Sequence, residues 1–283
     1  MTKAMFQHLS DRALIRIEGD DCEQFLQNIV TCDVSRLATG DSAFGALLSP
    51  QGKILFDFFL VRTSRGFLMD APSALSAELG KRLTFYRLRA KVTVEPADPE
   101  VSVFALWDGD PGPMDEVLAR DPRLAALGWR LYGRTAPDLQ PGDYAARRIA
   151  LGVPQGGVDF VYGDTFPHEA LMDQYGGVDF SKGCYVGQEV VSRMQHRGTA
   201  RTRVVQVKAS RALPPAGSEI TAGEKSIGRM GSSSGRNGLA MIRLDRAKSA
   251  MESGAAIRSG EVELVPSIQE WARFGWPGGG EAN

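Results

Sequence analysis

Residues 180–198, FSKGCYVGQEVVSRMQHRG, decide how the rest of the chain is read. Cys184 stands between Gly183 and Gly187, beside Lys182 and Tyr185, and just ahead of a run with helical spacing. In that run Val190, Val191 and Met194 form an apolar stripe, and Glu189 and Arg193, four apart, can pair on its flank. A helix starting near Gly187, with Gln188 in its first turn, leaves Cys184 before the N-terminus. Free backbone N–H groups there attract negative charge, and Lys182 adds to the effect, so the setting favours a thiolate. Gly183 and Gly187 allow close backbone approaches closed to other residues. Three roles are open to Cys184: nucleophile, metal ligand, or small residue in a tight turn. A nucleophile needs a base in reach; His168 and His196 are nearest in sequence, and no protease-like context surrounds them. Iron–sulfur clusters commonly take four thiolates, so one cysteine can share a cluster only with a partner chain or a small thiol.

Charge is concentrated around this stretch. Residues 182–203 hold Lys182, Arg193, Arg197, Arg201 and Arg203 against Glu189, in a chain of net charge -1. The bulk balance excludes nucleic-acid binding by total charge, while the basic strip suits a phosphate, a polyglutamate tail, RNA or an acidic partner. At 283 residues, 43% hydrophobic and 24% charged, the chain can build about two domains with real cores. Its three cysteines, Cys22, Cys32 and Cys184, form no CxxC pair. That argues against a disulfide framework and against a metal site built by this chain alone, and for a reducing compartment. The N-terminus has no long apolar core, and the most apolar strip, KILFDFFLVR, is short and contains Asp57. The expectation is a soluble, cytoplasmic protein.

Working outward, residues 13–18 alternate as a strand, and DDCEQFLQNIV reads as a capped helix with Cys22, Phe25, Leu26 and Ile29 on one face. AFGALLSPQGKILFDFFLVR reads as a hairpin about SPQG. Asp57 falls on its Leu55, Phe59 and Val61 face, where a carboxylate must be hydrogen-bonded or open to a cavity. GFLMDA is a further strand. A helix follows to about Arg89, with a basic end of Lys81, Arg82, Arg87, Arg89 and Lys91 that either compensates the helix dipole or faces an anion. KVTVE and VSVFALW return as strands. Residues 108–143 read as a loop-dominated connection containing the strand GWRLYG, and DYAARRIALGVP as a helix. Residues 154–177 read as irregular, with a short helix at 169–173. From Arg203 to about residue 266, short strands between Gly- and Ser-rich turns suggest a β-barrel, followed by a frayed tail.

KGCYVGQE resembles the K-G-C-[FY]-x-G-Q-E signature of the YgfZ family, the folate-binding, iron–sulfur-biogenesis branch of the glycine-cleavage T-protein (aminomethyltransferase) superfamily. LIRIEGDDCEQFLQNIVTCDVSRL, LLSPQGKILFDFFL and RIALGVPQGG are similar to further family segments. YRLRAKVTVE resembles the subgroup related to the mitochondrial iron–sulfur assembly factor. The resemblance implies an α+β, T-protein-like folate-binding fold of interwoven antiparallel sheet and helix domains over residues 1–202, with a C-terminal β-barrel and tail at 203–283. It implies tetrahydrofolate or a derivative as ligand, with Glu169 of FPHEALMD facing the pterin and Asp57, Tyr185 and Arg193 as further candidate folate contacts. It implies iron–sulfur assembly or client proteins as partners, an indirect link to tRNA through cluster-dependent tRNA-modifying enzymes, and Cys184 as the functional thiol of the motif Lys182, Gly183, Cys184, Tyr185, Gly187, Gln188 and Glu189. The superfamily's catalytic Lys-Asp pair is missing from FLMDAPSALSAELGKRLTFYRLR, where Asp70 is no clear substitute, so the expectation is an accessory protein rather than an enzyme. The alternatives are a tetrahydrofolate-dependent aminomethyltransferase or amine demethylase, and an RNA- or protein-binding module.

Overall fold

The computed structural model of the chain describes residues 4–112, 114, 116–198 and 200–278. Two compact units result: Met1–Tyr144 with Tyr175–Val190, and Ala145–Gln174 with Val191–Asn283. The chain leaves the first unit after Tyr144, returns to it at Tyr175 and leaves it again after Val190.

The first unit holds two five-stranded sheets. One is antiparallel throughout, in the order Ser42–Leu48, Ile54–Thr63, Gly66–Pro72, Arg12–Glu18, Thr93–Pro96. Alternation splits the strand Ile54–Thr63 between its two faces. Phe56, Phe58 and Leu60 join a core with Phe25 and Leu26 of the helix Cys22–Ile29 and Leu79 and Leu83 of the helix Ser73–Tyr86. Each such side chain, fully buried, stabilises by about 1.5–3 kcal/mol. Asp57 and Phe59 lie on the other face. The second sheet runs Gln140–Pro141, Met5–His8, Ser102–Trp107, Trp129–Gly133, Val117–Arg120, and only its first pair is parallel. The reading of residues 108–143 therefore missed the strand Val117–Arg120. It is a short edge strand with Val117 and Arg120 exposed, so it carries little alternation to detect.

The second unit is built on a seven-stranded antiparallel sheet: Val262–Glu263, Ile257–Ser259, Glu219–Ala222, Lys225–Ser234, Asn237–Arg243, Thr202–Lys208, Val265–Ser267. The first and last strands in that order are separated in sequence by Leu264 alone, so the sheet curls into a nearly closed barrel. Val205, Val207, Ile220, Ile227 and Ile242 fill it. The helix Leu244–Ser253 was not foreseen. Its buried side is Leu244, Ala247 and Ala250, a weak apolar signal, and Gly254 ends it in the left-handed conformation. Residues 169–173 form turns rather than the expected helix, and Leu171 there takes a φ of 63°. The end of the predicted frayed tail, residues 279–283, lies outside the described residues. Among the described residues no helix is long and apolar enough to cross a membrane.

Candidate functional site

The signature loop is anchored through Ser181, Lys182, Tyr185, Gly187 and Gln188. Asp179 Oδ1 accepts the Ser181 N–H and hydroxyl, both at 2.7 Å, and the Lys182 N–H at 3.0 Å. Burial opposes ionisation of Asp179, but these donors outweigh it and hold its carboxyl below the usual range. Lys182 is buried, and its Nζ donates to the carbonyls of Val30 at 2.8 Å and Cys32 at 2.7 Å. Val30 caps the C-terminal end of the helix Cys22–Ile29, where carbonyls lack helical partners and a cation is favoured. Burial pushes the lysine pKa down. The expectation that Lys182 lends its charge to the neighbouring thiol gives way to this geometry: its ammonium is turned into the fold.

Tyr185 packs over the lysine, with Nζ 5.5 Å from the ring centroid, and burial pushes the phenol pKa up. At 7% exposure it offers little ring surface for stacking on a ligand. The Gln188 Oε1 accepts the Tyr185 N–H at 3.3 Å. Gly187 has a φ of 81°, and a Cβ there would lie 2.5 Å from the Ser49 carbonyl oxygen, so only glycine lets the loop rest on the SPQG turn. The helix Gln188–Arg197 begins one turn after Cys184. The thiol of Cys184 itself is exposed. The other two cysteines are buried. Cys32 fits only because Gly45 opposite has no side chain, since a Cβ there would lie 2.5 Å from its sulfur, and burial pushes the Cys32 pKa up to about 12.

The second face of the first sheet carries a buried cluster that sequence reading did not find. Asp70, fully buried, accepts from Arg12 Nε at 2.6 Å, Arg130 Nη1 at 2.8 Å and the Tyr132 hydroxyl at 3.3 Å. Arg130 lies 3.7 Å from the centroid of the Phe59 ring and Arg123 4.7 Å from it, while Arg123 also pairs with Asp121 at 2.7 Å and donates to the Tyr144 hydroxyl. Asp57 is buried on the same strand face as Phe59. The available signal was the placement of Asp57 and Asp70 at inward-facing strand positions. Their arginine partners come from distant segments with no shared motif.

In the second unit, Glu169 is half-buried, and its Oε2 accepts the Phe166 N–H at 2.8 Å. A carboxylate fixed in this way suits the paired N–H donors of a pterin, so the residue type and its restraint fit that ligand. His168 is buried with Nε2 3.1 Å from Gln195 Oε1, and burial lowers its pKa. Arg203 corrects the expected basic strip. It is buried, pairs with both oxygens of Asp173 at 2.9 Å, donates to the His168 carbonyl and stacks on Phe274. The exposed strip is thus Arg193, Arg197 and Arg201. Of the candidate folate contacts, Asp57 and Tyr185 belong to the first unit and Glu169 and Arg193 to the second. Among the described residues no group of three or more His, Cys, Asp or Glu could hold a metal ion.

Comparison with known proteins agrees with this architecture. Residues 2–114 match the GCVT N-terminal domain and residues 201–274 the CAF17 C-terminal beta-barrel domain. The crystal structure of glycine cleavage system aminomethyltransferase T from Bartonella henselae superposes with a TM-score of 0.74 at 17% identity, covering 95% of this chain and 86% of that one, which establishes the shared fold. The mitochondrial iron–sulfur cluster assembly factors IBA57 of Homo sapiens and Mus musculus are each 32% identical over 95% of this chain and 84% of their own length. The mitochondrial homolog from Pyricularia oryzae is 31% identical over 93% and 78%. These relatives overturn the cytoplasmic expectation, since they are named as mitochondrial proteins. Sparse unpaired cysteines mark a reducing environment without saying which one. The relatives also correct the assignment to YgfZ, which is a neighbouring branch. On identity and coverage together, the chain belongs to the family of the iron–sulfur cluster assembly factor IBA57, with a T-protein-like body and a CAF17-type barrel.

Proposed function

We propose that this protein is an accessory factor for iron–sulfur cluster assembly, that it binds a reduced folate through Glu169, and that Cys184 is the thiol it offers to a cluster-carrying or client partner. The observation that carries the reading is the construction of the loop. Lys182, Tyr185, Gly187 and Gln188 are each committed to holding the backbone, while the Cys184 thiol between them is left in solvent. A single cysteine cannot satisfy a cluster, so its iron must be shared with ligands from elsewhere. Aminomethyl transfer is disfavoured by Asp70: both its oxygens are occupied by guanidinium groups, which leaves a structural carboxylate rather than an available base.

Complementation tests the reading. In cells lacking their own factor, the wild-type chain should restore the activity of cluster-dependent enzymes, and Cys184→Ala should not. Full rescue by Cys184→Ala, or steady aminomethyl transfer at an enzyme-like rate of about 1 per second or faster, would overturn it. The folate arm is separable. Calorimetric titration with tetrahydrofolate should lose about 1.5–3 kcal/mol in Glu169→Ala, the worth of a charged hydrogen-bond acceptor. Equal affinities would remove Glu169 from the site.

A further inference from the structure

The end of the helix Ser73–Tyr86 carries a surface feature that nothing in the fold explains. Residues 79–94 contain five cations and no carboxylate. The helix caps at Arg87, and Leu88 follows with a φ of 47° at 83% exposure. This is the position just past a helix end where glycine is favoured, because a side chain is strained in the left-handed region. Leu88 is therefore unfavourable twice, once for its backbone and once for the apolar surface it shows to water. Phe85, one turn earlier, is 75% exposed. Lys81 and Arg89 are also exposed and form ion pairs with none of the described residues, while Arg87 is committed to the Val92 carbonyl at 2.8 Å. Beside Leu88 an open cleft of about 530 Å3 is bounded by residues 87–93 on one side and by Glu18, Gly19 and Asp20 on the other.

We infer that Phe85 and Leu88, flanked by Lys81 and Arg89, form a docking knob for a partner protein segment in which acidic residues alternate with large apolar ones. Charge complementarity selects the acidic segment, and the two exposed apolar side chains select its apolar component. A protein fits better than a lipid surface because the knob is ringed by carboxylates. Asp20 lies 3.7 Å from Lys91, Glu78 lies 3.5 Å from Arg82, and Glu18 lines the cleft. A short segment can set its acidic side chains against Lys81 and Arg89 and keep them clear of those carboxylates, whereas a broad anionic bilayer is brought up against all of them at once. The strained Leu88 is the mark of the site: it costs the fold stability and is not buried within it, which points to a contact made outside it.

The test uses the full chain and fluorescence anisotropy with a labelled peptide of repeating Asp-Leu-Glu-Phe, a charge-swapped peptide of repeating Lys-Leu-Lys-Phe, and vesicles of phosphatidylserine and phosphatidylcholine. Wild type should bind the acidic peptide and neither of the other probes. Leu88→Gly should weaken that binding at least about tenfold, the ratio expected for one lost apolar contact, while its melting temperature stays level or rises. Lys81→Glu with Arg89→Glu should abolish binding in a folded protein. The inference is overturned if Leu88→Gly binds as wild type does, if Leu88→Gly melts lower, or if the vesicles are preferred to the peptide.

Discussion

Cys32 and Cys184 lie in the same compact unit and depend on the same lysine, yet they end in opposite environments. Cys32 is 2% exposed, its sulfur lies against Gly45, and its carbonyl receives the Lys182 ammonium. Cys184, two residues after that lysine, stands in solvent. Burial keeps the first thiol neutral and makes it a small apolar filler, which is how most unpaired cysteines serve a fold. The second fills no core volume, so packing cannot account for it. The difference shows how the signature works: the lysine is the fastener that closes one cysteine in and fixes the loop that holds the other out.

Removing the fastener should have the largest effect on this contrast. Lys182→Met leaves the Val30 and Cys32 carbonyls buried without their donor, at about 1–3 kcal/mol each. Chemical denaturation should register the loss, and the loop should become mobile by hydrogen exchange. Unchanged stability would mean that the lysine does not anchor the loop.

A smaller effect should come from Cys32. Cys32→Ser buries a hydroxyl in an apolar pocket at a cost of about 1–3 kcal/mol. Its pH dependence sharpens the point. A thiol raised from 9.0 to about 12 in the fold contributes stability that is complete below pH 9.0 and is lost as pH climbs toward about 12. Lys182 acts the other way. Its folded pKa lies below the ordinary 10.5, so its contribution is present above 10.5 and lost as pH falls through the depressed value. Wild type should therefore lose stability relative to Cys32→Ala above pH 9.0 in denaturant melts. Parallel profiles would show that Cys32 titrates normally and is not sealed.

The smallest effect should be that of Cys184→Ala, within about 0.5 kcal/mol of wild type, as for an exposed side chain outside the core. A large fall in melting temperature would turn Cys184 back into a packing residue.

How much of this was legible in the sequence follows from how far apart the interacting residues lie. The loop, its glycines and the following helix are neighbours along the chain, so spacing alone located them. The split of the strand Ile54–Thr63 into a core face and an Asp57 face followed from alternation. Contacts made across long separations left no local trace. Lys182 meets carbonyls 152 and 150 residues away, and Arg130 reaches Asp70 across 60. Adjacency suggested that Lys182 serves the thiol, whereas in the fold its flexible stem carries the ammonium to the carbonyls of Val30 and Cys32. Arg203 was counted with the exposed strip for the same reason, since its partner Asp173 lies 30 residues back. The helix Leu244–Ser253 escaped because alanine does not announce a buried face.

The contrast between the two cysteines is tested most directly by alkylating the native protein with iodoacetamide and following each cysteine by peptide mass spectrometry. The account predicts that Cys184 is modified first, and that Cys22 and Cys32 react only when denaturant opens the first unit. If Cys32 reacts as fast as Cys184 in the folded protein, or if Cys184 is the slowest of the three, the thiol is not being presented and the proposed role of the loop fails.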